Sequence, residues 1–116
     1  MAWQLCLALL HCHSHDIIHR DIKPLNVLIT KDRNFKLGDL SESIMVTKER
    51  YLKSKTVGTP LYLSPEIIKK QQYDHRTDIF SLGGLMYHMA ALEVPYYDKS
   101  LEGLMNKILY KQPLPF

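Results

Sequence analysis

The sequence is short of every feature that would place it outside the ordinary globular class. Cysteine is scarce, with two in 116 residues. Both Cys6 and Cys12 fall in or beside the first apolar segment. They cannot make a disulfide framework and read as buried thiols of a reducing compartment. No apolar run approaches the length of a bilayer span, so no membrane partner is expected. The opening Met1-Ala2-Trp3-Gln4 lacks a basic region, and the apolar run after it ends in histidines rather than a small-residue cleavage site. A secretory signal is therefore not expected. Charge of one sign is also scarce: the formal net charge is +3, with Lys and Arg scattered rather than blocked. Nothing in that balance calls for nucleic acid. Repeats and low-complexity tracts are missing too. A chain of 116 residues can build one modest core. Met1 already lies inside an apolar helical pattern without an N-cap, and Lys111 to Phe116 reads as a loop leading onward. Both ends are therefore expected to be cut.

Periodicity supplies the elements. Met1 to Ser14 is expected to form a helix, apolar nearly all round and so buried. His15 to Asn26, with Pro24, reads as a loop. Val27-Leu28-Ile29 reads as a short buried strand, Thr30 to Asn34 as a polar turn, and Phe35-Lys36-Leu37 as the returning strand of a hairpin. Gly38 to Ser64 has weak periodicity and many polar residues, and connections this long usually carry function. Pro65 to Lys70 reads as a short helix with Ser64 as N-cap, Pro65 in its first turn and Glu66 just inside. Thr77 to Leu92 is a strongly apolar helix. Its Gly83-Gly84 pair suggests close packing against another backbone. Ser100 to Tyr110 is amphipathic, with Leu101, Leu104, Met105, Ile108 and Leu109 at helical spacing.

The densest chemistry is the histidine run His11, His13, His15 and His19, with Cys12 inside it. Such a run can bind zinc or copper. On a helix, however, residues two apart point about 200° apart, and only a strand would align His11, His13 and His15. The spacing favours His11 and His15 as solvated or helix-end residues.

The next residues are more specific. His19-Arg20-Asp21-Ile22-Lys23-Pro24-Leu25-Asn26 match the catalytic-loop pattern H-R-D-x-x-x-x-N of protein kinases. A carboxylate, Asp21, can accept the proton of an incoming hydroxyl. Asn26 offers an amide oxygen to Mg²⁺, a hard cation. Lys23 can meet the transferring phosphate as a point charge. Leu37-Gly38-Asp39-Leu40-Ser41 stands at the place of the kinase D-F-G. Gly58-Thr59-Pro60-Leu61-Tyr62-Leu63-Ser64-Pro65-Glu66 stands at G-T-x-x-Y-x-(A/S)-P-E, and Asp78-Ile79-Phe80-Ser81-Leu82-Gly83 at D-x-W-S-x-G. In this order, over nearly the whole chain, they give a sequence that resembles the C-terminal lobe of a eukaryotic protein kinase.

The resemblance implies a mainly α fold, a partial kinase-like C-terminal lobe. It would run from the family's helix αE to its helix αG, with a short β-hairpin and an activation loop, all within one partial domain, 1–116. It implies ATP and Mg²⁺ as cofactors, Asp21, Lys23, Asn26 and Thr59 as catalytic residues, and Asn26 and Asp39 as metal ligands. Lys23, Asn26, Leu28 and Asp39 would contact the nucleotide, with Leu28 as the floor under adenine. His19 becomes part of a packing column, neither base nor ligand, and His13 a structural residue ending its helix. Taken alone, Asp78 is a helix N-cap and Glu66 a first-turn acid. Leu28, Leu85 and Met89 taken alone are core. In the family, Asp78 anchors the catalytic-loop backbone and Glu66 pairs with a downstream arginine that this chain lacks. Lys23 followed by Pro-x-Asn, together with Thr59, points to Ser/Thr of protein substrates.

The chain departs from the family at three places. Ser41 replaces the glycine of D-F-G and resists the φ > 0 states that glycine tolerates, while Leu40 can fill the apolar slot. Asp-Leu in this segment and the pattern from Val57 to Glu66 tilt the reading toward NIMA-related kinases, and with them toward a cytoplasmic, cytoskeleton-associated setting. Arg20 implies activation by a phosphate in the loop. The usual acceptor position holds Lys55, so the flanking Ser54 and Thr56 become the candidates. The N-terminal lobe, with its Gly-rich loop, strand lysine and helix glutamate, is not in this sequence. It is expected in the full-length chain, and apolar surface of the first and third helices is expected to be exposed without partners. The competing function is a non-catalytic kinase-like scaffold or binding module.

Overall fold

A computed structural model of the chain describes residues 1–46, 60–113 and 115. The first apolar segment forms helix α1, Ala2–Ser14. Leu5 and Leu9, one turn apart, are its buried residues. Trp3, Leu7 and Leu10 are exposed, so the expectation of a wholly buried helix is corrected to one buried stripe. Cys6 is exposed and Cys12 half-buried, which also corrects the expectation of two buried thiols. Cys6 follows Leu5 by one residue and therefore sits about 100° off the buried stripe.

The segment read as a loop after α1 contains strand β1, Ile17–Ile18, and a 3-10 turn at Pro24–Asn26. Strands β2, Val27–Ile29, and β3, Phe35–Leu37, follow. They pair antiparallel in the register Val27↔Leu37, Leu28↔Lys36, Ile29↔Phe35, the hairpin that the alternation foretold. Thr30 and Asn34 close the turn, with the Asn34 carbonyl accepting the Thr30 N–H at 2.9 Å. The expected burial of β2 is not found: Leu28 and Ile29 are exposed, and Val27 alone packs on the core. Strand β4, Ile44–Met45, lies in the stretch read as a featureless loop and pairs with β1 as Ile17↔Met45 and Ile18↔Ile44.

Helix α2 covers Pro65–Ile68, shorter than the expected Pro65–Lys70, and Lys70 turns the chain with a φ of 53°. Ser64 stands at the N-cap position, but its hydroxyl does not cap the helix. It is fully buried and bonds the Thr77 hydroxyl at 2.6 Å, a partner that burial requires. Helix α3, Arg76–Ala91, ends at Leu92 in the left-handed conformation. Helix α4, Leu101–Tyr110, has Ser100 as a true cap, its hydroxyl accepting the Gly103 N–H.

Two clusters hold these elements together. Leu5, Leu9, Ile22, Leu82 and Leu85 join α1 to α3 beneath the loop after β1. Ile18, Leu63, Ile67 and Tyr73 form the second, around β1 and α2. Met89, expected in the core, is exposed at 41%; it follows Leu85 by four residues, where α3 runs past the cluster. The close packing expected at the glycine pair exists at Gly84, where an added Cβ would lie 3.2 Å from the Tyr62 ring. Among the described residues nothing comes within 4 Å of such an atom on Gly83. Exposed apolar side chains on α1 (Trp3, Leu7, Leu10) and α3 (Ile79, Met89) agree with the surface expected of these helices.

Candidate active site

The loop between β1 and the 3-10 turn is built on a buried carboxylate. Asp78, in the first turn of α3 and fully buried, accepts the backbone N–H of His19 at 2.8 Å and that of Arg20 at 2.9 Å, one on each oxygen. It is not the helix N-cap that it would be in isolation; that position belongs to His75. The His13 Nε2 lies 2.8 Å from the same Oδ2 that His19 uses. Sequence reasoning made His13 structural but missed this partner, because no spacing signal links a helix end to a residue so far along the chain.

His19 is fully buried. Its Nε2 lies 3.0 Å from the Gly38 carbonyl and its Nδ1 lies 3.2 Å from the Asp21 backbone N. A carbonyl only accepts and an N–H only donates, so a neutral ring protonated on Nε2 satisfies both. The ring thereby ties the loop to the residue before Asp39.

Asp21 is buried, and its Oδ2 receives the Lys23 ammonium at 3.0 Å and the Asn26 amide nitrogen at 3.1 Å. The same Asn26 nitrogen donates to the Asp21 carbonyl at 2.7 Å. The Asn26 amide nitrogen is thus committed to Asp21, and the Asn26 oxygen is the end that faces elsewhere. The Asn26 carbonyl accepts the Gly38 N–H at 2.8 Å, which sets the start of the Asp39 segment beside Asn26. Asp21, Lys23 and Asn26 are therefore in mutual contact, and Asp39 is one residue beyond their hydrogen-bonded neighbour.

Asp39 has a φ of 60° and is exposed. The Ser41 hydroxyl donates to its Oδ1 at 2.6 Å and the Ser41 N–H to the same oxygen at 3.1 Å. The hydroxyl contributes most, and then the N–H, to holding the Asp39 carboxyl below its ordinary pKa of 3.8. Leu40, expected in an apolar slot, is 57% exposed, because Asp39 and Ser41 close a polar turn that directs it outward. Leu28 is also 57% exposed. It is not a core residue here; it presents an apolar surface on β2 against Gly38.

Arg20 has a φ of 69°. Its Nε donates to the Glu42 carbonyl at 2.6 Å and its Nη1 to the Tyr73 hydroxyl at 2.9 Å. Neither partner was foreseen from the sequence, since a backbone carbonyl and a tyrosine carry no charge signal for an arginine. Ser54, Lys55, Thr56 and Thr59 lie outside the described residues. Glu66 occupies the first turn of α2, as read from the sequence. His11 and His15 are exposed at the end of α1 with ring centroids 4.5 Å apart. The described residues contain no group of three or more His, Cys, Asp or Glu arranged to hold a metal ion.

A family model described as "Protein kinase domain" matches residues 1–114. The chain is 43% identical over 108 residues to the putative serine/threonine-protein kinase A of Trypanosoma brucei brucei, covering 91% of this chain and 25% of that protein. It is 39% identical over 114 residues to serine/threonine-protein kinase 36 of Mus musculus, covering 98% of this chain and 9% of that protein. It is 39% identical over 110 residues to serine/threonine-protein kinase Nek2 of Homo sapiens, covering 90% of this chain and 25% of that protein. Nek1 and Nek3 of Mus musculus are similar too, in keeping with the tilt toward NIMA-related kinases. The chain spans a quarter or less of the length of these relatives. With a family match running from Met1, just before α1, past the end of α4, the chain belongs to the protein kinase domain family.

Proposed function

We propose that the chain forms the C-terminal-lobe portion of a Ser/Thr protein kinase and supplies the catalytic loop, a Mg²⁺-holding aspartate and the activation segment. The reaction is transfer of the γ-phosphoryl group of ATP to Ser or Thr of a protein substrate. The observation that carries this reading is the convergence of Lys23 and Asn26 on one oxygen of Asp21. A structural carboxylate needs only its partners. Here the acid, the point charge and the amide oxygen come from one loop, and each has a part in phosphoryl transfer.

The residues fit Mg²⁺. Asn26 and Asp39 are hard oxygen donors, the Asn26 nitrogen is committed to Asp21, and a small cation needs few protein ligands when phosphates supply the rest. When bound, the ion neutralises charge on the phosphates. Asp21 orients the substrate hydroxyl and takes its proton. Lys23, at 3.0 Å from that carboxylate, places positive charge where the phosphoryl group meets the acceptor. Leu28 supplies an apolar face for adenine. Thr59 acts with Asp21 and Lys23 on the substrate hydroxyl. Arg20 receives an activating phosphate from Ser54 or Thr56, Glu66 takes its ion-pair partner from the remainder of the lobe, and Leu40 packs against the partner lobe. ATP and unpaired thiols such as Cys6 and Cys12 both suit the cytoplasm.

The test is phosphate transfer from ATP to a generic Ser/Thr-rich protein by the purified full-length protein. Asp21→Asn is expected to lower kcat by about 10²- to 10⁴-fold, the range for loss of a general base. A wild-type protein that neither transfers phosphate nor binds Mg·ATP would leave the scaffold reading in its place.

A further inference from the structure

None of the sequence patterns involves His88, yet it holds the turn that follows Thr59. That 3-10 turn, Pro60–Tyr62, is gripped by helix α3 at two points. The Ser81 hydroxyl donates to the Tyr62 carbonyl at 2.7 Å, and the Tyr62 hydroxyl lies 2.6 Å from the His88 Nδ1. Ser81 and His88 are seven residues apart in sequence, so they stand about 20° apart on one face of the helix. The Tyr62 hydroxyl has no other partner among the described residues. A phenol keeps its proton at neutral pH, and burial pushes the pKa of Tyr62 further up. The hydroxyl therefore donates, Nδ1 accepts, and the neutral ring carries its own proton on Nε2. Packing does not close around this pair on every side. Tyr62 borders a cavity of about 250 Å³ with Tyr87 and Pro95, and His88 borders one of about 760 Å³ with Leu92, Val94 and Tyr96.

We infer that His88 is a positioning residue for the protein substrate: by accepting the Tyr62 hydroxyl it fixes the Pro60–Tyr62 turn against α3, and with it the surface on which the peptide around the acceptor Ser or Thr lies. The inference rests on the proposed kinase reading, in which Thr59 acts on the substrate hydroxyl. The same helix holds the catalytic loop at its first turn, through Asp78. Helix α3 thus sets two separate parts of the site, the catalytic loop from its start and the substrate turn from further along. His88 makes no hydrogen bond or ion pair with Asp21, Lys23 or Asn26. Its loss should therefore act on peptide binding and leave transfer from bound ATP to bound peptide in place.

The experiment is steady-state phosphate transfer from ATP to dephosphorylated casein by the full-length protein, with the melting temperature recorded for each variant. His88→Leu removes the acceptor and should raise KM for casein about fivefold, the factor that one hydrogen bond of ordinary net worth represents, while kcat and KM for ATP stay within about twofold. His88→Asn keeps an acceptor oxygen in the place of Nδ1, one bond beyond Cγ, and should bring the casein KM back to within about twofold of wild type. Tyr62→Phe should reproduce the rise and add nothing to His88→Leu in the double variant. It also carries the test should His88→Leu fail to fold. An unchanged casein KM in these variants, or a rise that His88→Asn does not reverse, overturns the role of His88 and leaves the kinase reading standing. A loss of kcat with a rise in both KM values and a lower melting temperature marks a merely structural residue and overturns it too. No transfer by the wild-type protein overturns the kinase reading and the inference with it.

Discussion

The carboxylate of Asp78 accepts the backbone N–H of Arg20 at 2.9 Å and so joins helix α3 to the loop that carries Asp21. Its other oxygen takes the His19 N–H. Arg20 is held at a φ of 69°, a conformation that costs a non-glycine residue about 1–3 kcal/mol where the structure enforces it. A short polar loop could not hold that shape by itself. The buried carboxylate enforces it from below, and the position of Asp21 follows.

Asp78→Ala is therefore expected to destabilise the protein by about 2 kcal/mol or more, because one buried and one part-buried N–H lose their acceptor at about 1–3 kcal/mol each. Asp78→Asn keeps one acceptor oxygen and should lose roughly half as much. Urea unfolding of the purified variants reads both. A loss below about 1 kcal/mol in Asp78→Ala, the net worth of a single ordinary hydrogen bond, would mean that water replaces the carboxylate and the loop does not depend on it.

How far the sequence foretold this structure varies with the physical signal each element leaves. Helices α1, α3 and α4 each leave several apolar residues at helical spacing, and the hairpin of β2 and β3 leaves alternation on both sides of a polar turn. Strands β1 and β4 hold two residues each, too few to show a period of two, so a bridge between distant loops was illegible. Ser64 looks like a cap from its neighbours. Its true partner, Thr77, is settled by tertiary burial, to which local spacing is blind. The contact among Asp21, Lys23 and Asn26 was legible because the three sit within one loop. The contacts His13–Asp78, Arg20–Tyr73 and Ser41–Asp39 were not, since each depends on where a backbone turns.

The glycine pair in α3 provides a test of packing against propensity. Gly83 has open space around its missing Cβ among the described residues, so Gly83→Ala should stabilise the helix by about 0.5–1 kcal/mol through chain entropy alone. Gly84→Ala would place its Cβ 3.2 Å from the Tyr62 ring and 3.7 Å from Pro95. Tyr62 is fixed by a 2.6 Å hydrogen bond to His88 and cannot easily move. The two alanines should therefore differ in sign, or at least by about 1 kcal/mol, in thermal or urea unfolding. Equal gains would show that the Tyr62 ring yields at no cost.

Acid should weaken the fold partly through Asp74. The Arg76 guanidinium beside it holds the Asp74 carboxyl below the ordinary 3.8, the Arg76 side-chain hydrogen bond being the largest cause. A folded-state pKa below the unfolded one gives stability that is full above about 3.8 and is lost as pH falls through the lower folded value. The pair is largely exposed, so solvent screening limits the effect to about 0.2–1 kcal/mol. Asp74→Asn should remove that part of the acid limb and leave the rest. The check is the urea midpoint against pH, with wild type and variant converging at the acid end, separating as pH rises toward 3.8 and keeping a constant gap above it. Curves that stay parallel throughout would exclude any linkage through Asp74.

The Lys23 ammonium donates to one oxygen of Asp21, so the catalytic contributions proposed for the two residues should not add. Lys23→Met is expected to lower kcat by about 10²-fold, as losing one charge donor to a transition state typically does. Asp21→Asn lowers it by at least that much. Because the Lys23 ammonium is set by the Asp21 carboxylate at 3.0 Å, removing either residue disturbs the placement of the other. The double variant should then lose far less than the product of the two single losses, as expected for residues that act as a unit. Single-turnover phosphate transfer by the full-length protein, measured for wild type, both single variants and the double variant, gives the coupling directly. Multiplicative losses would mean that Lys23 and Asp21 act on the substrate independently, and that their contact is incidental to the chemistry.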